Sequence, residues 1–327
     1  MPMLCAVSAT AFFGVPTTNR LHHYPELRPL RQAVLSRDWP AVTRFFADFP
    51  TDQDPSVAVA MVAELRGVET FLQGAGGGPA SSTLAATLLG ARWVVMGWEV
   101  RTARYASQVS RQQFAQFHDY LARADNLLGD VVMAEPDNVS AWTTRVRIAR
   151  GLQLGLAEAW RRYNRAAKAR PHPVTAQLTL AQQLCPKWGG SFPELHAFAQ
   201  RCAAEAPPGA LNAAVVAEAH IEQARAEPSA SRYMRRPEVR EQLRQAVARS
   251  VGHPAYRPVF GWVQAHSSFA YAWTLAGDRR SAAPHFAALG NRFTSFPWEY
   301  YPGSGRLTYK ARQLAALMTG GQRAATG

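Results

Sequence analysis

Side-chain chemistry on a helix depends on spacing. A metal site of the H-E-x-x-H kind needs ligands three or four residues apart, because only those positions share a face. The histidines of this chain are 22, 23, 118, 172, 196, 220, 253, 266 and 285, and none stands three or four residues from another. Glu218, His220 and Glu222 alternate by two. That spacing spreads them around a helix, so they are expected on a solvated face or at the edge of a core, and no metal is expected. Cys5, Cys185 and Cys202 contain no C-x-x-C pair, so neither a zinc knuckle nor a disulfide framework is suggested. His196 lies near Cys185 and Cys202 in sequence, but no neighbouring base or nucleophile elbow marks either thiol as reactive. Buried, inert cysteine is the expectation. The search leaves no catalytic residue and no cofactor.

Two other spacings point to binding. Arg232, Arg236, Arg240 and Arg244 recur every four residues. On one continuous helix they would form a phosphate-binding stripe. Pro237 argues against continuity, and Glu238 and Glu241 offer local ion pairs. Trp262, His266, Phe269 and Trp273 share one face of a helix over 261–276. Two readings of that face are open: a core stripe, or a groove wall on which His266 is the polar contact.

The remaining chemistry is aromatic and lies outside helices. Pro186-Lys187-Trp188-Gly189-Gly190-Ser191-Phe192-Pro193 interrupts a run of helical patterns. Paired glycines between prolines do not continue a helix, so the segment is an ordered turn. Trp188 is expected to be largely buried, with Gly189 or Gly190 at positive φ. A second such segment is Phe296-Pro297-Trp298-Glu299-Tyr300-Tyr301-Pro302. The candidate binding set is Trp98, Glu99, Arg101, Lys187, Trp188, Gly189, Gly190, Ser191, His266, Trp298, Glu299 and Tyr300. Its surface is expected between the Trp188 loop and the Trp298 tail. Aromatics in loops are enriched where a partner docks. The competing account makes these rings caps on the ends of the fold.

The elements that position these residues read as helix throughout. Helices are predicted over Pro29–Arg37, after the cap Asp38, over Ser56–Leu72, 82–106, 111–134, 139–150 and 261–276, and from Gly303 to Met318. Pro136 separates the 111–134 and 139–150 helices, with Asp137 or Asn138 as cap. Gly97 is expected where a neighbouring helix packs closely. The glycine run at 74–78 joins helices and lacks the lysine of a phosphate loop. No strand pattern persists.

Ala124, Leu128, Val131 and Pro136 recur as Ala159, Tyr163, Ala166 and Pro171, an offset of 35 residues (159 − 124) at all four positions. Small, large, small, then proline resembles the second helix of a tetratricopeptide repeat, whose period is about 34 residues. Trp142 falls where the next repeat would start. Ala270-Tyr271-Ala272-Trp273-Thr274-Leu275-Ala276-Gly277-Asp278, with Ala282 and Phe286, resembles the same unit, with Pro284 placed in the first turn of its second helix. Lys187–Ser191, Gly97–Arg101 and the stretch Gly290–Tyr300 together resemble a family of bacterial tetratricopeptide-like proteins with K-W-G-G-S, A-W-E-A-R and P-W-x-Y signatures. Gly97 and Val100 depart from its alanines. The resemblance implies an all-α, tetratricopeptide-like α-solenoid of antiparallel helix pairs and implies no activity.

The expected organisation is an irregular lead-in over 1–24, a single repeat domain over 25–318 and a flexible end over 319–327. The 327 residues are 47% hydrophobic with a formal net charge of +13, enough apolar material for a core. The lysines are Lys168, Lys187 and Lys310, so the charge is nearly all arginine and is spread along the chain, a weak mark of nucleic-acid binding. Met1–Phe13 is apolar but has no basic residues ahead of it and is shorter than the ~20 residues of a membrane span. The expected place is the cytoplasm, with no membrane contact. The expected function is a non-enzymatic scaffold for another polypeptide. The alternatives are a small-molecule-binding or biosynthetic protein with an aromatic pocket, and a nucleic-acid-binding protein.

Overall fold

A computed structural model describes residues 14–75, 79–101, 109–301 and 303–321. The Met1–Phe13 stretch, Cys5, most of the glycine run, Pro302 and the chain after Gly321 lie outside the described residues. Among the described residues all regular structure is helical and no strand occurs. No helix described is long and apolar enough to cross a membrane. The chain divides into two compact units, where the sequence reading drew one domain. A continuous unit runs over Glu26–Ser191, and a split unit joins Met1–Pro25 to Phe192–Gly327.

The continuous unit holds α2 (Arg28–Leu35), α3 (Trp39–Ala47), α4 (Ser56–Ala63), α5 (Glu69–Gly74), α6 (Pro79–Arg101), α7 (Arg111–Ala134), α8 (Val139–Gly151), α9 (Leu156–Ala169) and α10 (Val174–Gln183). Local signals fix their ends. Asp38 accepts from the Ala41 amide and Asn138 from the Ala141 amide, while Ser110 and Gln113 form a reciprocal capping box, each satisfying amides that a helix start leaves open. The recurring positions turn inward: Ala124, Leu128 and Val131 on α7, and Ala159, Tyr163 and Ala166 on α9, are all buried. α6 packs on α7 and α8, and α8 packs on α9 and α10. A Cβ on Gly97 would meet the Tyr120 Cβ at 3.2 Å, which is the close approach the sequence suggested. Arg162 is buried and grips Asp125 with two bonds of 2.7 and 2.9 Å while its Nε donates to Glu158 at 2.6 Å. This bidentate pair ties α7 to α9.

One long helix is predicted over Ser56–Leu72, but α4 ends at Ala63 and α5 begins at Glu69. Gly67 turns the chain between them at φ +76°. α6 begins at Pro79 and is described to Arg101, so the predicted end at 106 lies outside the described residues.

The split unit holds α1 (Arg20–His23), α11 (Phe192–Glu205), α12 (Ala214–Ala226), α13 (Ala230–Met234), α14 (Pro237–Arg249), α15 (Trp262–Leu275), α16 (Arg279–Leu289), α17 (Ser295–Trp298) and α18 (Gly305–Gly321). Its two parts are joined near the chain's extremes. The Thr17 amide donates to the Asn291 carbonyl at 2.7 Å, and the Phe293 amide donates to the Thr17 carbonyl at 3.1 Å. α12 is surrounded by α11, α13, α14 and α15, and an unbroken run from Ala214 to Glu222 is buried.

The basic stripe does not form. Pro237 opens α14, so Arg232 and Arg236 precede that helix. Arg236 pairs with Glu227, Arg240 with Asp278 and Arg244 with Glu241. Pro284 lies inside α16 rather than in its first turn, where its missing N–H removes a helix bond.

Candidate functional site

In the continuous unit the structure brings together Trp98, Arg101 and Trp188. The C-terminal end of α6 carries Trp98, and its ring meets Trp188 edge-on at 6.3 Å between centroids and Phe117 at 4.9 Å. Gly151, ending α8, makes room for this cluster: a Cβ there would stand 3.0 Å from Phe117 and 3.5 Å from Trp98. Three guanidinium groups surround the Trp98 ring, those of Arg101, Arg147 and Arg150, at 5.6, 5.6 and 5.5 Å from its centroid. Arg150 also lies 5.6 Å from the Trp188 ring centre. A cation within about 6 Å of a ring face is held by the ring's quadrupole. Trp98 and Trp188 are both half-buried, so Trp188 is less enclosed than expected. The Trp98 Nε1 is buried and has no hydrogen-bond partner among the described residues.

The Trp188 turn uses its two glycines differently. Pro186–Trp188 form one short 3-10 turn, and Gly189 follows at φ +92° with open space where a Cβ would be. Gly190 has ordinary backbone angles, but a Cβ would lie 2.1 Å from the Leu184 carbonyl oxygen. Gln183 Nε2 donates to the Trp188 carbonyl at 2.9 Å. Lys187 and Ser191 are exposed on either side. Glu99 is exposed and faces Arg66 at 3.5 Å and Arg92 at 3.9 Å.

The rest of the set lies in the split unit. Trp298 is fully buried and its Nε1 donates to Ser267 Oγ at 2.9 Å. It packs against Tyr271, Phe286 and Tyr309 at 5.2, 5.8 and 5.2 Å. His266 is buried, its Nδ1 3.1 Å from that of His285 and its ring edge-on to Trp262. Tyr300 donates to Glu222 at 2.6 Å beneath the Arg225 guanidinium, 3.4 Å from the ring centre. Glu299 is exposed.

Sequence reasoning placed Glu218, His220 and Glu222 at an edge or in solvent, yet all three are buried. Glu218 accepts from Gln264 at 2.7 Å and Ser268 at 2.9 Å, and burial pushes its carboxyl up to about 7. His220 pairs with Tyr233 and Gln242 at 2.7 and 2.8 Å, and burial lowers its pKa to about 3. Burial likewise lowers His23 and His266 to about 4, and His196 and His285 below their ordinary value. Removing a charged form from water favours the neutral one. These groups are interior polar contacts. Among the described residues no three metal-ligating side chains converge. Cys185 and Cys202 are buried thiols outside any disulfide, and burial raises Cys202 to about 12, far from a reactive thiolate.

Two open grooves complete the chemistry, one in each unit. In the continuous unit Asp125, Asp130, Arg161 and Arg165 flank a groove of about 600 Å³ beside Trp142, with opposite charges on its two walls. In the split unit Arg235, Arg279 and Arg312 line a cleft of about 540 Å³.

The fold and these surfaces define an all-helical protein with a half-buried tryptophan–arginine cluster. No protein-family model matches the chain, and no curated protein matches it.

Proposed function

We propose that the protein is a non-enzymatic helical-repeat scaffold that holds another polypeptide through an acidic, aromatic-containing segment at Trp98 and Trp188. The observation that carries this reading is the pair of half-buried tryptophans with Arg101, Arg147 and Arg150 around them. Aromatic and arginine side chains are those that dominate partner binding, because they bury much area with few rotatable bonds. Guanidinium groups already held against rings meet a carboxylate with little further ordering. The repeat reading is supported by the packing of each helix from α6 to α9 on the next, and of α8 on both α6 and α10. It is also supported by the buried positions that recur at one offset on α7 and α9.

The test uses Trp188→Ala and Arg147→Ala in the full chain, recovered from its native cell and scored for co-purifying protein and for melting. Loss of a reproducible partner from both variants, with melting within about 1 kcal/mol of the parent, supports the scaffold. Retention of the same partner by both folded variants removes this surface as the site.

A further inference from the structure

The cleft in the split unit has a composition that its packing does not require. Its walls come from α13, the end of α15, the start of α16, the Tyr301 segment and α18. Arg235, Arg279 and Arg312 reach it from three of these elements, and no acidic residue lines it. Among the described residues none of the three side chains forms an ion pair or donates a hydrogen bond. The Arg312 guanidinium lies 5.9 Å from the Tyr301 ring centre. Neighbouring arginines are paired instead: Arg240 bonds Asp278 at 2.7 Å and Arg244 bonds Glu241 at 2.7 Å. The acid closest in sequence, Asp278, is thus engaged by Arg240 and by the Ser281 amide and hydroxyl.

Structural demands on these arginines are weak. A cation near the end of α15 interacts well with its terminal carbonyls, but one would suffice. Three uncompensated positive charges around one cavity repel each other. Gly277 stands at φ +71°, a conformation that favours glycine by itself, and Arg235 Nη2 lies 3.3 Å from its Cβ position, which places that guanidinium at the cleft. The Ser231 hydroxyl, also on the wall, makes no hydrogen bond among the described residues. Leu275, Ala282 and Ala316 supply an apolar side to the same space. At about 540 Å³ the cleft falls within the range of small-molecule sites and is far larger than an inorganic ion needs.

We propose that this cleft binds a small molecule through a phosphate monoester, with Arg235, Arg279 and Arg312 around the phosphoryl oxygens and the apolar wall against the rest. Three planar forks match a dianion with three terminal oxygens better than a carboxylate with two. The site is independent of the Trp98–Trp188 surface.

Phenyl phosphate is the probe, titrated calorimetrically into the full chain. Saturable binding is expected, weakened about tenfold or more by Arg235→Gln and by Arg312→Gln, as for loss of one charge-assisted bond. Arg280→Gln changes the same charge on α16 but does not line the cleft, and it should bind like the parent. Benzoate should bind at least about tenfold more weakly, since it offers one charge and two oxygens. The proposal fails if no saturable heat appears at roughly 10 mM probe, or if Arg280→Gln weakens binding as much as Arg235→Gln. It also fails if benzoate equals phenyl phosphate, or if only vesicles containing phosphatidic acid, and no soluble ester, are bound. Circular dichroism melting of each variant separates lost binding from lost fold.

Discussion

Each unit is built around tryptophan, and the two differ in what surrounds the ring. In the split unit Trp298 is fully buried among aromatic rings, and its one polar atom is satisfied by Ser267. In the continuous unit Trp98 and Trp188 stay half-buried, ringed by arginines, and the Trp98 Nε1 has no hydrogen-bond partner among the described residues. Burial with every polar atom paired makes a core. Partial burial among held cations makes a surface still able to gain from contact. The same residue type thus fills a core in one unit and stands half-buried among cations in the other.

Acid offers the largest test of this contrast. The histidines whose pKa burial lowers, 23, 196, 220, 266 and 285, all belong to the split unit. In the continuous unit His118 is exposed and His172 half-buried. A histidine with a depressed folded pKa adds stability above its unfolded value of 6.5, and that stability is lost as pH falls toward about 3 to 4. Each contributes about 1.4 kcal/mol per pH unit inside the window. Glu218 works oppositely. Its carboxyl, raised to about 7, adds stability that is complete below its ordinary value of 4.5 and lost as pH rises through about 7. One acid is outnumbered, so the split unit should lose several kcal/mol between about pH 7 and pH 5. Hydrogen exchange resolved by peptide should show protection lost over Phe192–Leu289 before Glu26–Ser191. Equal loss in both would break the comparison.

A second test removes the rings. Trp298→Ala should cost about 3–5 kcal/mol, as for other large aromatic truncations in cores. Trp188→Ala should cost about 1 kcal/mol or less. Urea unfolding of both variants checks this, and a large loss in Trp188→Ala would turn the surface cluster into a second core.

The smallest effects separate the two glycines of the turn. Gly190→Ala places a methyl group against the Leu184 carbonyl, which is backbone and has little room to yield, and about 2–3 kcal/mol is expected. Gly189→Ala meets open space but must hold φ near +92°, a strain of about 1–2 kcal/mol. Thermal melts of the single variants should keep that order. The reverse order would mean that backbone conformation, rather than close approach, demands the pair.

These glycines also show how far sequence could carry the structure. A Trp-Gly-Gly between prolines announced a turn, and one positive φ followed. The second glycine is demanded by the Leu184 carbonyl at the end of α10, a close approach that residue types alone do not reveal. α7 and α8 were legible almost to the residue because Ser110, Pro136 and Asn138 mark their ends chemically. The break between α4 and α5 had only Gly67 to signal it, inside an apolar pattern that otherwise ran on. Glu218, His220 and Glu222 were misread for a different reason. Alternation by two spreads side chains around a helix, but it cannot say that α12 is covered on every side. Their partners, Gln242, Gln264, Ser268 and Tyr300, come from later segments. Of the candidate set, the pairing of Trp98 with Trp188 joins residues far apart in sequence, and Arg147 and Arg150 gave no signal at all.

The two backbone bonds between Thr17 and residues 291 and 293 set an order of events during synthesis. Every residue of the continuous unit has been joined to the chain once Ser191 is in place. Thr17, made earlier, lacks both of its main-chain partners until Asn291 and Phe293 exist. At roughly 5–20 residues per second the ribosome needs on the order of 5–20 s to add the intervening stretch. Throughout that interval Thr17 waits for both main-chain bonds, while every residue of the continuous unit is already in the chain. The latest-made residues then complete the unit begun first.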